Sequence, residues 1–304
     1  VSAVDRLPTA LRALAARWRA RLTGGGSDTP LMLVFSKDRA IQLELFLRSY
    51  AQKMSRPLPL TIMYRASSEA HRAAYEKVFA GYTASPLTVI AETRFKPDLL
   101  TVMRGANASK VIFFVDDIVF VQPIDTELLE SWRPADGVLS LRLGKHIDKS
   151  FNYGNAPMPA PAGLHPVVRH GTSLLAWRWV DGRYDWALPT SLDGHLLPLA
   201  EMIPLIAHTQ FKAPNSMEGA IGQYKFLFKW NDGVCFEQAR ILNLPLNSVK
   251  TEDYDFPHQG WDAEELLQAF NDGLRLDVSA LPLAEHDSCH MAWLPTLRKA
   301  EAIG

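Results

Sequence analysis

The chain has 304 residues, a formal charge of −1 and 47% hydrophobic residues, enough for one large α/β domain or two smaller ones. That balance excludes whole-molecule steering of nucleic acid, and two cysteines, Cys235 and Cys289, exclude a disulfide framework and suit a reducing compartment. With no apolar run as long as a membrane span and no basic-then-apolar leader at the start, the expectation is a soluble, cytoplasmic protein.

Between Val1 and Leu22, the residues Leu7, Leu11, Leu14, Trp18 and Leu22 recur at three- and four-residue steps, which predicts one apolar helix face. Arg6, Arg12, Arg17, Arg19 and Arg21 stand there against Asp5 alone. The pattern fits a helix lying on the anionic inner face of a membrane, and it fits equally a helix packed on the domain or on another subunit. GGGSD at 24–28 reads as a linker, so a separable segment 1–26 is expected ahead of a single domain, 27–304.

Strands are predicted over Leu31–Phe35, Leu60–Tyr64 and Leu87–Ala91, alternating with helices over 41–50, 69–82 and 98–108, the last preceded by Pro97. The stretch VIFFVDDIVFV at 111–121 then reads as one strand buried on both faces, carrying Asp116 and Asp117. Burying two carboxylates without a partner is strongly unfavourable, so either a cation and its ligand meet them or they cap a turn. Regular alternation predicts a mostly parallel sheet with helices on both faces, whose ligands bind outside the carboxyl ends of the strands. SKDR at 36–39, Arg65 and the Asp pair all fall at those ends.

The second half is less regular. A strand is predicted over 138–143, a lid or binding loop over 144–172 and a strand over 173–180 with Trp177 and Trp179 on one face. DGHLLPLAEM from Asp193 reads as a short helix broken by Pro198, and KAPNSMEG at 212–219 as a turn opening a helix. Asp262 and Glu265 form a capping box for the helix that Gly273 closes. In HDSCH, His286 and His290 would share a face if helical.

This order of elements over residues 30–290, with FSKDR after the first strand and VDDI at 115–118, resembles the GT-A glycosyltransferases. The resemblance implies a GT-A-type, Rossmann-like α/β fold: a mostly parallel central sheet flanked by helices, a nucleotide-binding half at 27–121 and a less regular acceptor-side half at 122–304. It implies a nucleotide-sugar donor, a carbohydrate or lipid-linked glycan acceptor, and Mn²⁺ or Mg²⁺. Phe35, Ser36, Lys37, Asp38 and Arg39 would form the loop that meets the nucleotide. The usual motif is Asp-any-Asp, which needs an acid where Val115 or Ile118 stands. In the register of a three-acid variant, Asp117 is the metal ligand and Asp116 faces the ribose or donor sugar, provided that the strand bends there. His290, rather than His286, would reach the metal or the diphosphate. An acid at a later helix start would deprotonate the acceptor, and Asp193 and Glu218 both fit, against helix-capping and first-turn roles. Arg65, Lys96 and Arg104 are candidate phosphate contacts and Asn107 a donor-sugar contact, since arginine matches phosphate oxygens well. Trp177, Trp179, Trp186 and Trp261 suit sugar stacking or core packing.

Two rival readings stand beside this one. A nucleotidyltransferase would want a glycine-rich basic loop after the first strand, and FSKDR has no glycine. A non-catalytic nucleotide- or carbohydrate-binding domain would keep the fold without the chemistry.

Overall fold

The computed structural model describes residues 3–23, 26–229, 231–247 and 260–299. Val1, Ser2, Gly24 and Gly25 of the expected N-terminal segment lie outside the described residues, as do the side chains of Asp5, Arg21 and Leu22.

The first half alternates as the sequence predicts. After α1 (Ala3–Thr23) come β1 (Leu31–Lys37), α2 (Ala40–Lys53), β2 (Leu60–Arg65), α3 (Glu69–Gly81), β3 (Leu87–Ala91), α4 (Phe95–Gly105) and β4 (Lys110–Val115). Helix α4 begins three residues earlier than expected, with Pro97 inside its first turn. Proline is tolerated there because the first-turn amides have no intrahelical acceptor, and the Asp98 carboxylate instead accepts from the Thr93 and Arg94 amides, both at 2.8 Å.

The predicted strand 111–121 is two elements. β4 ends at Val115, the backbone turns at Asp116 and Asp117, and β5 (Ile118–Phe120) leaves the main sheet. Next come α5 (Thr126–Ser131), β6 (Val138–Ser140), the two-residue strands β7 (Lys149–Ser150) and β8 (Ala156–Pro157), β9 (His165–Arg169) and β10 (Thr172–Arg178). The expected lid at 144–172 is thus ordered by pairing, β7 with β8 and β9 with β10. The remaining elements are β11 (His195–Pro198), α6 (Leu199–His208), α7 (Pro214–Gly222), β12 (Asp232–Cys235), β13 (Ile241–Asn243), α8 (Ala263–Asn271), β14 (Leu274–Asp277) and β15 (Thr296–Lys299). β13 pairs with β5 in a ribbon, and β14 with β15.

Nine strands form the central sheet in the order β3-β2-β1-β4-β11-β6-β12-β10-β9. The pairs among β3, β2, β1 and β4 are parallel, as is β6 with β12, whereas β11 and β10 run against the other seven strands. The sheet is mostly parallel, and both halves of the chain contribute to it.

Alternation along β1 builds both faces of the core. Met32 and Val34 pack with α2, α3, the β5–β13 ribbon and α8, while Leu33 and Phe35 pack with α4, α6 and α7. The DGHLLPLAEM stretch corrects the helix expectation. His195–Pro198 pairs with both β4 and β6, and the helix starts only at Leu199. Leu196 and Leu197 bury on opposite faces, so tertiary pairing outweighs local helical preference. Trp177, Trp179 and Trp186 are all core residues, with ring centroids 4.8 Å apart in two edge contacts. Cys235 and Cys289 are buried free thiols.

Helix α1 is docked. Ala10 and Ala13 are buried against the α6 layer, and Arg17 makes a two-pronged ion pair with Glu201 at 2.6 and 2.7 Å. The end of the expected linker is pinned as well, because the Ser27 amide bonds the Asn107 carbonyl and Gly26 sits at φ +87°. A Cβ on Gly26 would stand 2.5 Å from the Ala108 carbonyl carbon, so only glycine allows that approach.

Candidate active site at the carboxyl edge of the sheet

The chain runs from β1 outward to β2 and β3, then returns to β4 on the other side of β1. The crevice outside the carboxyl ends of β1 and β4 is the topological switch point where such sheets bind ligands. Ser36–Arg39 and Asp116–Asp117 meet there.

Asp116 turns toward β1. Its carboxylate accepts from Ser36 Oγ at 2.8 Å, the Lys37 amide at 3.3 Å and Arg39 Nη1 at 3.0 Å. Tyr75 closes this cluster, with its hydroxyl 2.6 Å from Ser36 Oγ and accepting from the Arg39 amide at 3.0 Å. The turn carries Asp117 to the same side, its Oδ2 lying 3.8 Å from Arg39 Nη1, so the bend required for both acids to face one site is present. Burial alone would lower Arg39, but Asp116 and Asp117 outweigh it and hold its pKa above the usual value.

Asp117 is the less compensated acid. Burial pushes its carboxyl up to about 7; Arg39 opposes this, and the charges of Asp116 and Asp193 add to it. Its one close side-chain donor among the described contacts is Asn243 Nδ2, at 3.1 Å from Oδ1. Asn243 stands at the end of β13, which the β5 ribbon carries across the crevice, and the Leu244 amide bonds the Asp117 carbonyl at 2.8 Å. Further along, Asn247 accepts from Arg39 Nη2 through its carbonyl and from Gln42 Nε2 at 2.9 Å through its side chain.

The second half supplies a matching cluster around Arg142, just beyond β6. Arg142 is 3% exposed and donates to Asp185 Oδ1 at 2.6 Å, Asp193 Oδ2 at 3.0 Å and Ser191 Oγ at 2.5 Å. Ser150 Oγ also donates to Asp185, at 2.7 Å. Asp193 precedes β11 beside Gly194 (φ +72°), whose amide bonds the Phe113 carbonyl of β4 at 2.8 Å. A Cβ on Gly194 would lie 2.4 Å from Ile241 Cδ1, so this glycine lets the Asp193 loop press against the ribbon. Burial raises the Asp193 carboxyl against the pull of Arg142 and of a hydrogen bond from Asn243. Asn243, bonded to Asp117, thus stands close to Asp193 as well.

Glu218 sits in the middle of α7, not in its first turn, and its Oε1 accepts from Ser191 Oγ and the Leu192 amide, both at 2.9 Å. Burial and the charge of Asp193 raise its pKa. His286–His290 is extended, not helical, because the Asn243 amide and carbonyl pair with Cys289 and Met291. His290 thereby reaches Asp193, Nε2 to Oδ2 at 3.7 Å, while His286 pairs with His146 at 3.3 Å away from it. Burial and Arg142 depress the His290 pKa to about 4, leaving a neutral imidazole at physiological pH.

Other expected residues fall elsewhere. Phe35 is a core residue stacked on Phe113 at 6.0 Å, because odd positions of β1 face the α4–α6 layer. The Asp38 carboxylate accepts from the Ser67 amide at 2.7 Å, tying the ends of β1 and β2. Arg65 is exposed at the same sheet edge and pairs with Glu92 at 3.6 Å. Lys96 donates to the Thr209 carbonyl at 2.6 Å. Arg104 and Asn107 lie at the opposite edge: α4 runs against the strands, and Asn107 lines a shallow cleft with Pro30 and Pro59, which precede β1 and β2. An open cleft of about 320 Å³ lined by Gln210, Phe211, Lys212 and Ser216 includes none of the acidic cluster.

Among the described residues, no three His, Cys, Asp or Glu side chains converge as a ready cation cage. The donors that are present suit Mg²⁺ or Mn²⁺ nonetheless, since such ions are commonly held by one or two carboxylates and complete their shell with substrate phosphates and water.

Arg142, Asp185, Ser191, Asn243 and Asn247 escaped the sequence reading. Arg142 alone carried a signal, a charge inside the apolar run VLSLRLG.

No family model matches the chain, and no curated protein does. Similar solved structures include the WbbM bifunctional glycosyltransferase in its apo form, at 12% identity and TM-score 0.38 over 72% of this chain. Mouse xyloside xylosyltransferase 1, apo form, matches at 13% identity and TM-score 0.33, covering 66% of this chain and 80% of that one. The mannosyltransferase PcManGT from Pyrobaculum calidifontis, in complex with GDP-Man and Mn²⁺, matches at 18% identity and TM-score 0.28, covering 48% and 51%. The chain spans 39% of the WbbM chain. At this degree of overlap, function rests on the geometry of the site.

Proposed function

We propose that the chain is a GT-A-type glycosyltransferase moving a sugar from a nucleoside-diphosphate sugar to a hydroxyl of a free or lipid-linked glycan. The observation that carries this reading is the convergence of Asp117 and Asp193, one acid from each half of the chain, at the switch point of the sheet, where Asn243 donates to Asp117 at 3.1 Å and the charge of Asp193 helps to raise the Asp117 pKa.

Each group then has a separable task. Arg39, gripped by Asp116, stands at the mouth of the β1 loop with the nucleotide and its diphosphate as its partners. Asp117 would hold Mg²⁺ or Mn²⁺, with His290 as a second candidate ligand, and the ion would supply positive charge to the leaving diphosphate. Asp193 faces the acceptor. With inversion, it accepts the hydroxyl proton as the acceptor oxygen bonds the anomeric carbon and the bond from that carbon to the diphosphate oxygen breaks. With retention, it orients the acceptor instead. Asp193 is preferred to Glu218 because its charge reaches Asp117 and His290 approaches it at 3.7 Å, whereas Glu218 Oε1 holds the 191–192 loop from behind. A carboxylate whose pKa is raised by burial suits a base working near neutral pH.

Calorimetric titration with a nucleoside diphosphate, with and without Mn²⁺, tests the reading. The parent should bind more tightly with metal, and Asp117→Asn should lose that gain while keeping its fold. Equal, metal-independent affinity in both proteins would remove Asp117 from the proposed site.

A further inference from the structure

The docked helix α1 leaves its most hydrophobic face uncovered. Contact with the body runs through Ala10, Ala13 and Arg17, with Arg6 Nη1 reaching the Gln223 carbonyl at 3.0 Å and Arg17 lying over the Phe228 ring at 5.8 Å. Leu7, Leu11 and Trp18, the larger apolar residues of the segment, point away and are 57%, 56% and 63% exposed. Residues 7, 11, 14 and 18 share one face of a helix, so these side chains form a stripe with the half-buried Leu14 at its edge. On the outer flank stand Arg12 and Arg19, both exposed. The segment carries five arginines against one aspartate in a chain of net charge −1.

We infer that this face of α1 seats the protein on an anionic lipid surface. The stripe would enter the headgroup boundary, Trp18 would sit at the interface, and the arginines would pair with lipid phosphates, as amphipathic interfacial helices do. The occupant follows from charge complementarity: a stripe of leucine and tryptophan edged by arginine matches acidic headgroups above acyl chains. No helix among the described residues is long and apolar enough to cross a membrane, and the contact inferred for α1 is a peripheral one. The Arg17–Glu201 pair and the buried alanines keep the helix on the body while its outer face binds, fixing the body close to the surface.

Flotation of the full chain with vesicles of phosphatidylcholine, with and without phosphatidylglycerol, tests this. The chain should float with the anionic vesicles and be released by salt. Leu11→Glu combined with Trp18→Glu should abolish flotation at an unchanged melting temperature, because both positions are exposed. Arg12→Gln with Arg19→Gln should weaken partition on the order of tenfold. No flotation of the parent, or flotation indifferent to both pairs of variants, would overturn the inference. So would a concentration-dependent dimer in sedimentation that Leu11→Glu and Trp18→Glu dissolve, since the stripe would then belong to a second copy.

Discussion

Each half of the chain buries one arginine among carboxylates at the same edge of the sheet, but the two clusters divide their acids differently. Beside Arg39, Asp116 is met by a hydroxyl, a backbone amide and the guanidinium; beside Arg142, Asp185 is met by the guanidinium and Ser150. Asp117 is left 3.8 Å from Arg39 with the neutral amide of Asn243 as its close donor, whereas Asp193 takes a guanidinium nitrogen of Arg142 at 3.0 Å. The Arg39 cluster thus leaves one acid under-compensated, while Arg142 pairs with both of its acids. The clusters differ in depth. The Arg142 side chain is 3% exposed and that of Arg39 15%, so the first is a sealed clamp and the second opens toward a ligand.

The widest separation should come from activity. Under the proposed reading, Asp193→Asn slows sugar transfer by about 10²–10⁴-fold, the usual loss for a general base. Glu218→Gln should stay within about tenfold, because an amide oxygen still accepts from Ser191 and Leu192. Release of nucleoside diphosphate from a donor sugar, measured for both variants with donor affinity as a control, checks this. Equal loss in both would assign Ser191, Asp193 and Glu218 to one structural unit.

Stability separates the arginines next. Arg142→Met strands Asp185 and Asp193 in the interior and should cost about 3–5 kcal/mol, the range for breaking a buried pair from one side. Arg39→Met should cost less, about 1–3 kcal/mol, since Ser36 and the Lys37 amide still meet Asp116. Urea unfolding of the two variants compares them, and equal losses would mean that Arg39 is as much a clamp as Arg142.

Much of the Arg39 cluster was legible because its parts are local. Strand ends follow from apolar runs bounded by polar ones, and FSKDR and VDDI sit at two such ends. Even there the pleat misled: Phe35 lies in the loop's sequence but on the core side of β1. Arg104 and Asn107, expected at the phosphates and the donor sugar, are carried to the far edge because α4 runs against the strands. The Arg142 cluster was scarcely legible. Its members stand at 142, 150, 185, 191, 193 and 218, and they meet through antiparallel insertions of β11 and β10 that no local period announces. Asp193 is proposed from the sequence as an acid at a helix start, though the element that follows it is a strand. Asn243 gave no signal, being a polar residue at the end of a three-residue strand.

Adjacent acids with different partners give a smaller effect, and its sign is the informative part. The folded pKa of Asp117, about 7, lies above the roughly 3.9 of an unfolded aspartate. Between those values the folded state keeps a proton that the unfolded chain has released, so stability falls as pH rises through this window. Asp117→Asn should therefore stabilise the protein at pH above about 7 by on the order of 1–3 kcal/mol, with the gain fading as pH falls toward 4. Asp116→Asn should destabilise by a comparable amount, having lost a charged partner for Arg39. Chemical unfolding across that range measures both, and a gain from Asp117→Asn that does not vary with pH would deny it the uncompensated charge.

An acid outside both clusters calibrates the scale. Asp262 caps α8 in a capping box: its carboxylate accepts from the Glu264 amide at 2.7 Å while Glu265 Oε2 accepts from the Asp262 amide at 3.3 Å. Both groups are exposed to solvent, so the bond replaces one to water and the net stabilisation is modest. Asp262→Ala should cost about 1 kcal/mol, as N-cap losses do, and leave nucleotide affinity and transfer unchanged. Asp262→Ser, which keeps a capping oxygen without the charge, should recover most of that loss. Thermal unfolding of the two variants decides it. If serine fails to recover the loss, the charge of Asp262 matters more than its cap, and surface acids of this protein would contribute on a scale that the comparison of the buried clusters has assigned to the interior alone.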